Sequence, residues 1–184
     1  MVNLIKSNKI SPFDQDVWLT SLSFMQQTPS LEMLKDLESL MSTETVSTPM
    51  YLGISAVTHL YCKENYQSCL NDPTIQNIIS KLLKNLNNDC SVPKDSNPDH
   101  LSKVLISLKG LGNLKVFNNE VTAVLNKCIS LAKNPISVRI SALEVMKHMG
   151  CEKNVRNLYL YFLFSHILKY IILAPSCNGC LRKQ

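Results

Sequence analysis

The chain has 184 residues, enough for one domain with its own hydrophobic core. Hydrophobic residues make up 45% and charged residues 18%, a composition typical of globular rather than disordered proteins. The net charge of +5 is spread along the chain without a dense run of Lys and Arg, which argues against a nucleic-acid-binding surface.

Proline follows a good helix-capping residue at six places along the chain. A capping oxygen accepts a hydrogen bond from the first helical turn, and proline at the next position loses no hydrogen bond there. These doublets therefore predict helix starts at Ser11-Pro12, Thr28-Pro29, Thr48-Pro49, Asp72-Pro73, Asn97-Pro98 and Asn134-Pro135. Asn118-Asn119-Glu120 supplies a further start in the longest gap between doublets.

The segments after these starts carry apolar residues at helical spacing. After Pro73, for example, Ile75, Ile78, Ile79 and Leu82 form one stripe. No segment shows convincing strand alternation. We predict helices near 12–26, 29–42, 49–63, 73–88, 98–109, 119–132 and 135–149, with an eighth after 152.

About eight short amphipathic helices with brief connections indicate an all-α fold. One αα-hairpin cannot bury its apolar face alone, so neighbouring hairpins must cover it. We predict a two-layer αα-hairpin superhelix, a HEAT-like solenoid segment. A compact helical bundle is the alternative.

Gly110-Leu111-Gly112, followed by Lys115, could begin a phosphate-binding loop or end a helix. Phosphate loops follow a strand and finish in Gly-Lys-Ser/Thr, and neither feature is found here. We predict that Gly110 is the left-handed residue that ends a helix, with Lys109 near the negative end of that helix. Both glycines are then structural.

Two motifs resemble those of a known family. Leu108 to Asn113, then a helix, then Pro135, Val138, Arg139 and Ala142 resemble the helical domain of the large lipid transfer proteins, which include vitellogenins and insect lipophorin precursors. Upstream, "WLTSLSFMQQTPSLEMLKDLESLM" and "ISAVTHLYCKENYQSC" resemble consecutive helices of that domain. We therefore divide the chain into a lipid-transfer-protein-like helical segment, 1–156, and a divergent hydrophobic tail, 157–184.

The resemblance implies a function in lipid transport rather than catalysis. In this family a curved helical wall braces β-sheets that line a lipid cavity, so the implied partners are phospholipid, neutral lipid and the β-sheet domains of a parent protein. It also implies an extracellular location, although the amino terminus has no signal peptide. Because the β-barrel and lipid-lining sheets of the family are missing, the chain resembles a fragment.

Cys62 and Cys69 fall where family members often carry a short local cystine, so the resemblance makes them a candidate disulfide. From the residues alone, a disulfide is expected in a secreted chain and two thiols in a cytosolic one. Cys177 and Cys180 have metal-pair spacing, but no two further ligands follow, which favours a loose thiol pair.

The tail contains a strongly apolar run, residues 158–174, in which 14 of 17 residues are apolar. Ser165, His166 and Lys169 interrupt it near its middle, which disfavours membrane anchoring. We favour a docked terminal helix, with an unrelated tail as the alternative.

We find no nucleophile with a base, no paired carboxylates and no metal-ligand cluster. The sequence therefore predicts no catalytic, cofactor or metal site, and no enzyme. Two alternatives to lipid transport stay open: a helical-repeat module that binds a protein without lipid, and a non-functional truncated product.

Overall fold

The computed structural model describes residues 2–148, apart from 8, 42–46, 65, 88, 93–97 and 117. Within these residues the chain forms helices and no strand, so the all-α prediction is confirmed. A 3₁₀ turn, Leu22–Phe24, extends α2. The α-helices of the described residues are α1 (Val2–Lys6), α2 (Pro12–Ser21), α3 (Leu31–Leu40), α4 (Thr48–Glu64), α5 (Tyr66–Asn71), α6 (Pro73–Lys84), α7 (Pro98–Leu114), α8 (Asn119–Ser130) and α9 (Ile136–His148).

Side-chain caps begin several of these helices. The side-chain oxygens of Ser11, Asp72 and Asn118 each accept a hydrogen bond from a backbone N–H two or three residues later, at 3.1, 2.8 and 2.9 Å. Each bond satisfies an amide that the helix cannot pair internally. These three predicted helix starts are confirmed.

Two other predicted caps lie at neighbouring residues. Thr28 does not cap α3, which begins at Leu31 and is capped by Ser30. The Ser30 hydroxyl oxygen accepts a hydrogen bond from the backbone N–H three residues later at 3.1 Å. Ser47, rather than Thr48, accepts from the first turn of α4 at 3.3 Å. Ser30 follows the doublet at Thr28, and Ser47 precedes the doublet at Thr48, so each serine competes with the threonine for the same backbone amides. The sequence pattern did not show which of the two residues caps the helix.

The predicted end of the helix after Pro98 is wrong. α7 continues to Leu114, so Gly110 and Gly112 lie inside it. The left-handed residue comes after the helix instead, at Lys115, with φ of 53°. Neither glycine ends the helix: Gly110 lies in close contact with other helices, whereas a Cβ at Gly112 would meet ordinary contacts.

Two short helices were not predicted. α1 and α5 have five and six residues, too few to show a helical period in the sequence. The predicted eighth helix after 152 lies outside the described residues.

The helices form two layers. Layer A contains α2, α4, α7 and α9, each packed against the next. Layer B contains α1, α3 and α6 in contact in that order, with α8 beyond a groove next to α6. Consecutive pairs α3–α4, α6–α7 and α8–α9 cross between the layers. The predicted two-layer superhelical arrangement is confirmed.

Two neighbouring helices of layer A, α4 and α7, run parallel, as expected of successive hairpins. Tyr51 and Ser55, in the first half of α4, lie next to Gly110 of α7. One turn further along both helices, His59 of α4 lies within hydrogen-bond distance of the backbone of Leu114, at the end of α7. The contacts advance in the same direction along both helices, which a simple up-down bundle would not give.

The core lies between the layers and is mostly aliphatic. Its largest fully buried side chains are Leu19, Leu34, Leu37, Leu40, Met50, Ile54, Ile75, Ile78, Ile79, Leu82, Leu86 and Leu108. Asn85, at the end of α6, donates hydrogen bonds to the hydroxyls of Ser107 at 3.0 Å and Tyr51 at 3.3 Å. Lys81 of α6 forms an ion pair with Glu38 of α3 and so joins two helices of layer B.

Candidate functional site

Two glycines permit close approach of the helices in layer A. A Cβ at Gly53 of α4 would overlap the backbone carbonyl of Leu19, in α2. A Cβ at Gly110 of α7 would lie 2.9 Å from a methyl of Leu82 and 3.2 Å from the Ser55 hydroxyl oxygen. Glycine is therefore required at Gly53, where the backbones of α2 and α4 cross closely, whereas at Gly110 an added Cβ would make the Leu82 side chain shift. This packing gives a physical reason for the Gly-containing motif.

The second motif begins with Asn134, which does not cap α9 as predicted. Its side-chain amide instead donates to the backbone carbonyls of Asp89 at 2.8 Å and Cys128 at 3.0 Å. Asn134 is only 4% exposed, so these bonds are shielded from water. Lys133 adds an ion pair with Asp89 at 3.3 Å. The residues before α9 thus fasten the α6–α7 connection to the end of α8.

The rest of that motif holds α9 against its neighbours. Val138 and Ala142 are fully buried. Arg139 donates from Nε to the carbonyl of Ile129 near the end of α8, at 2.9 Å. Burial lowers the pKa of Arg139, and the guanidinium favours the negative end of α8. This second motif therefore packs α9 against its neighbours and caps the end of α8.

Four cysteines of the described residues lie in two close pairs. The Cα atoms of Cys62 and Cys69 are 5.3 Å apart, and those of Cys90 and Cys128 are 5.0 Å apart. Both separations fall in the range that a disulfide requires. Sequence reasoning missed the second pair, because a separation of 38 residues gives no local signal. Cys177 and Cys180 lie outside the described residues.

Large apolar side chains are exposed on the two end helices of layer A. On α2 and its 3₁₀ extension, Phe13, Val17 and Phe24 are 75%, 53% and 76% exposed. On α9, Ile136 and Ile140 are 52% and 37% exposed. α4 carries partly exposed apolar residues four apart, Leu52, Ala56 and Leu60. On α7, which lies between α4 and α9, the exposed residues include Ser102, Lys103 and Lys109.

Layer B presents a polar surface by contrast. The fully exposed residues of its three longer helices are almost all charged, hydroxylated or amide residues. We call the following set the polar face: Glu32, Lys35, Asp36, Asn77, Ser80, Lys84, Asn119, Glu120, Lys127 and Ser130. Layer A therefore exposes more large apolar side chains than layer B does.

The described residues offer little for chemistry. A shallow cavity of about 320 Å³ lies between α1, α2 and α3, with Trp18 on its wall and Glu32 and Asp36 at its rim. No group of three potential metal ligands occurs in the described part of the chain. No helix within residues 2–148 is long and apolar enough to cross a membrane.

The titratable groups with shifted pKa values have structural neighbours. Burial, followed by the charge of Lys115, lowers the pKa of His59. A hydrogen bond from the Ser91 side chain is the largest cause that lowers the pKa of Asp89. Both shifts thus arise from burial, neighbouring lysines and hydrogen bonds within the fold.

Comparison with known proteins assigns the chain to a family. The vitellogenin TPR domain matches residues 1–164. The chain belongs to the vitellogenin TPR domain family. Apolipophorins from Locusta migratoria are 29% identical to it over 164 residues, which are 89% of this chain and 4% of the locust protein. No solved structure matches the chain significantly.

Membership in the vitellogenin TPR domain family accounts for both motifs. The Gly-containing stretch and the Asn-Pro stretch lie within the matched residues, and both serve packing between successive hairpins. The predicted family resemblance is therefore confirmed. The match reaches residue 164, whereas the predicted boundary between 156 and 157 lies outside the described residues and stays a prediction.

Proposed function

We propose that this chain is a helical segment of a lipid-transport protein and that its two-layer array braces a lipid-binding cavity. The observation that carries the proposal is the vitellogenin TPR domain match over residues 1–164. The chain spans about 4% of the locust relative. In the proposal, β-sheet domains of a longer parent protein would hold the lipid, which is phospholipid or neutral lipid.

The architecture suits a bracing role. Hairpins stacked in two layers bury one continuous core, and glycine contacts hold the layer A helices close together. Such an array resists bending because each hairpin is fixed by its neighbours. We propose no catalysis, since the described residues include no assembled acid, base or metal-ligand constellation.

We also propose that the protein works in an extracellular, oxidising environment. Cys62 with Cys69, and Cys90 with Cys128, have the Cα separations of disulfide partners. Two such pairs in a chain of this size are typical of secreted proteins and rare in the cytosol. The predicted disulfide between Cys62 and Cys69 is thus part of the proposal.

The proposal is tested by exchanging this segment into a relative. Residues 1–164 would replace the matching segment of the locust apolipophorins, and secreted protein would be assayed for bound phospholipid and neutral lipid. We expect lipid loading close to that of the unmodified relative. A control in which an unrelated helical array of equal length fills the same position should lose most of its lipid.

The opposite pattern would contradict the proposal. If the unrelated array loads lipid as well as the exchanged segment does, the helical segment plays no part in forming the cavity. The isolated 184-residue chain should retain little lipid when floated with phosphatidylcholine vesicles, because the cavity needs the parent sheets.

A further inference from the structure

The outer side of α2 carries a continuous stripe of exposed residues. Phe13, Val17, Thr20 and Phe24 follow one another at spacings of four, three and four residues along α2 and its 3₁₀ extension. The backbone stays helical where α2 passes into the 3₁₀ turn. Residues at this spacing lie on one side of a helix, and all four of them are exposed. We call these four residues the α2 stripe.

The α2 stripe faces away from the rest of layer A. Leu19 is buried, and its backbone carbonyl lies where a Cβ of Gly53 would be. Leu22 is also buried, and its Cβ lies 3.5 Å from the same position. Both leucines lie on the opposite side of the helix from the α2 stripe, given the helical period. The α2 stripe is therefore a free end surface of layer A among the described residues.

We propose that the α2 stripe binds the α2 stripe of a second copy of this chain, antiparallel and across a twofold axis. Spacings of four, three and four are the same in both directions along the helix, and they are the spacings at which two helices interlock side chains. In an antiparallel pair, Phe13 of each copy meets Phe24 of the other, and Val17 meets Thr20. The inference does not rest on the proposed function.

The sizes of the side chains suit this pairing. A twofold contact requires a surface that is complementary to itself. The α2 stripe has a large ring at each end and smaller side chains, Val17 and Thr20, in its middle. The two helices can therefore approach closely at the centre, while the rings of Phe13 and Phe24 cover both ends of the contact.

The charges favour the antiparallel direction. The acidic residues of α2, Asp14 and Asp16, lie in its first half, and no Lys or Arg occurs in residues 10–34. Parallel pairing would bring four carboxylates together, which is unfavourable. Antiparallel pairing places the carboxylates of each copy opposite the uncharged second half of the other, near Ser21 and Ser23. It also opposes the two helix dipoles.

The area of the contact predicts a weak dimer. Two phenylalanines and a valine from each copy, with their flanking residues, would bury roughly 800–1,000 Å² in total. This is at the lower end of specific protein contacts. We therefore expect a reversible dimer with a Kd on the order of tens of micromolar.

Sedimentation equilibrium of the full 184-residue chain, from about 5 to about 500 µM, tests the proposal. We expect a reversible equilibrium between monomer and dimer. Val17→Asp should raise the Kd at least about tenfold, because it places carboxylates inside the contact. Ile140→Asp on α9 is the matched control, since it makes the same kind of change at another exposed apolar residue, and it should leave the Kd unaltered. Circular dichroism confirms that both variants are folded.

A mixing experiment tests the antiparallel register. Val17→Lys and Thr20→Asp should each raise the Kd of their own homodimer by about tenfold, since each places a charge in an apolar contact. A mixture of the two variants should recover dimer to within about threefold of the unmodified Kd, because the new lysine of one copy faces the new aspartate of the other. Parallel pairing would set position 17 against position 17 and would give no such recovery.

Several results would overturn the proposal. A chain that stays monomeric up to about 500 µM has no such contact. A Kd that Val17→Asp leaves unchanged, or that Ile140→Asp raises equally, would place the contact elsewhere. Growth beyond the dimer, or a mixture no tighter than its components, would exclude the antiparallel twofold pair. A monomer that floats with phosphatidylcholine vesicles, unless Val17→Asp is present, would assign the α2 stripe to a lipid surface instead.

Discussion

At the scale of single residues, glycines show most clearly how the layers are held. Gly53 and Gly112 both lie inside helices of layer A, yet their surroundings differ. A Cβ at Gly53 would overlap the Leu19 carbonyl, whereas at Gly112 it would make ordinary contacts of 3.6 Å with Val145 and 3.8 Å with His148. Neither difference can be read from the sequence, because the contacting residues are distant along the chain.

The first prediction compares these two glycines. Gly53→Ala should lower the free energy of unfolding by about 1–3 kcal/mol, since backbone must move to admit the methyl. Gly112→Ala should leave it unchanged or raise it by up to about 1 kcal/mol, because alanine favours the helix. Urea unfolding followed by circular dichroism measures both. A larger loss of unfolding free energy for Gly112→Ala than for Gly53→Ala would contradict the prediction and would show that α7 and α9 approach each other more closely.

The second prediction concerns pH and His59. Its lowered pKa means that the folded protein binds fewer protons than the unfolded chain just below the ordinary histidine pKa. This contribution to stability is fully present above about pH 6.5 and is lost as the pH falls. His59→Gln should therefore reduce the loss of unfolding free energy between about pH 7 and pH 5.

Denaturant unfolding at several pH values checks this expectation. The lowered pKa arises from burial first and from the charges of Lys115 and Lys63 in addition. An unchanged pH slope in the His59→Gln protein would mean that His59 is hydrated and distant from both lysines.

At the scale of helices and connections, the proline doublets were good guides to where helices lie and poorer guides to which residue caps them. Ser11 and Asp72 act as predicted, because their side-chain oxygens accept from the first turns of α2 and α6. Thr28 and Asn134 do not, because Ser30 takes over the cap of α3 and Asn134 turns to the α6–α7 connection. Local pattern finds a helix start, but tertiary hydrogen bonds decide the capping side chain.

The third prediction follows from the cap of α3. Ser30→Ala should lower the free energy of unfolding by about 1 kcal/mol, because it leaves the Met33 N–H without its acceptor. Thr28→Ala should cost less than about 0.5 kcal/mol, since Thr28 makes only an exposed hydrogen bond to Glu64. Thermal unfolding of both variants decides the matter. A greater loss of stability for Thr28→Ala than for Ser30→Ala would show that Thr28 is the cap of α3.

The fourth prediction compares the two cysteine pairs. If both form disulfides, removing the Cys90–Cys128 link should cost more than removing the Cys62–Cys69 link, because it closes 38 rather than 7 residues. Loop-closure entropy gives about 4 and about 2 kcal/mol respectively. Paired Cys→Ser variants of the oxidised protein, unfolded in urea, provide the comparison.

A reducing agent supplies the control for that comparison. The unmodified chain should lose stability on reduction, and the variant lacking both pairs should not respond. Identical unfolding of the unmodified chain with and without reductant would show that neither disulfide is present and would weaken the assignment to an oxidising compartment.

At the scale of the whole molecule, the fold class and the two layers followed from helical periodicity and from the inability of one hairpin to bury its own face. The difference between the outer surfaces did not follow. α4 carries apolar residues around most of its circumference, so Leu52 and Leu60 could equally have been core residues. In the fold they stay partly exposed, because neighbouring helices cover other sides of α4.

The same limit applies to the glycine motif. Gly110 resembled a helix end because it follows an apolar stripe and a lysine, which is the usual pattern at a helix end. α7 continues because Gly110 packs against Leu82 and Ser55 from other helices. Family resemblance located the motif correctly, but its physical role required the arrangement of three helices.

The central claim is that α2, α4, α7 and α9 lie side by side in that order in one layer. Nuclear Overhauser measurements on the oxidised chain test it most directly. We expect contacts from Gly53 Hα to Leu19 and Leu22, from Gly110 Hα to Ser55 and Leu82, and from Gly112 Hα to Val145. Observation of all three sets would establish the order of the helices in the layer. A spectrum of a folded, helical protein in which these glycine protons contact only residues of their own helix or hairpin would contradict it.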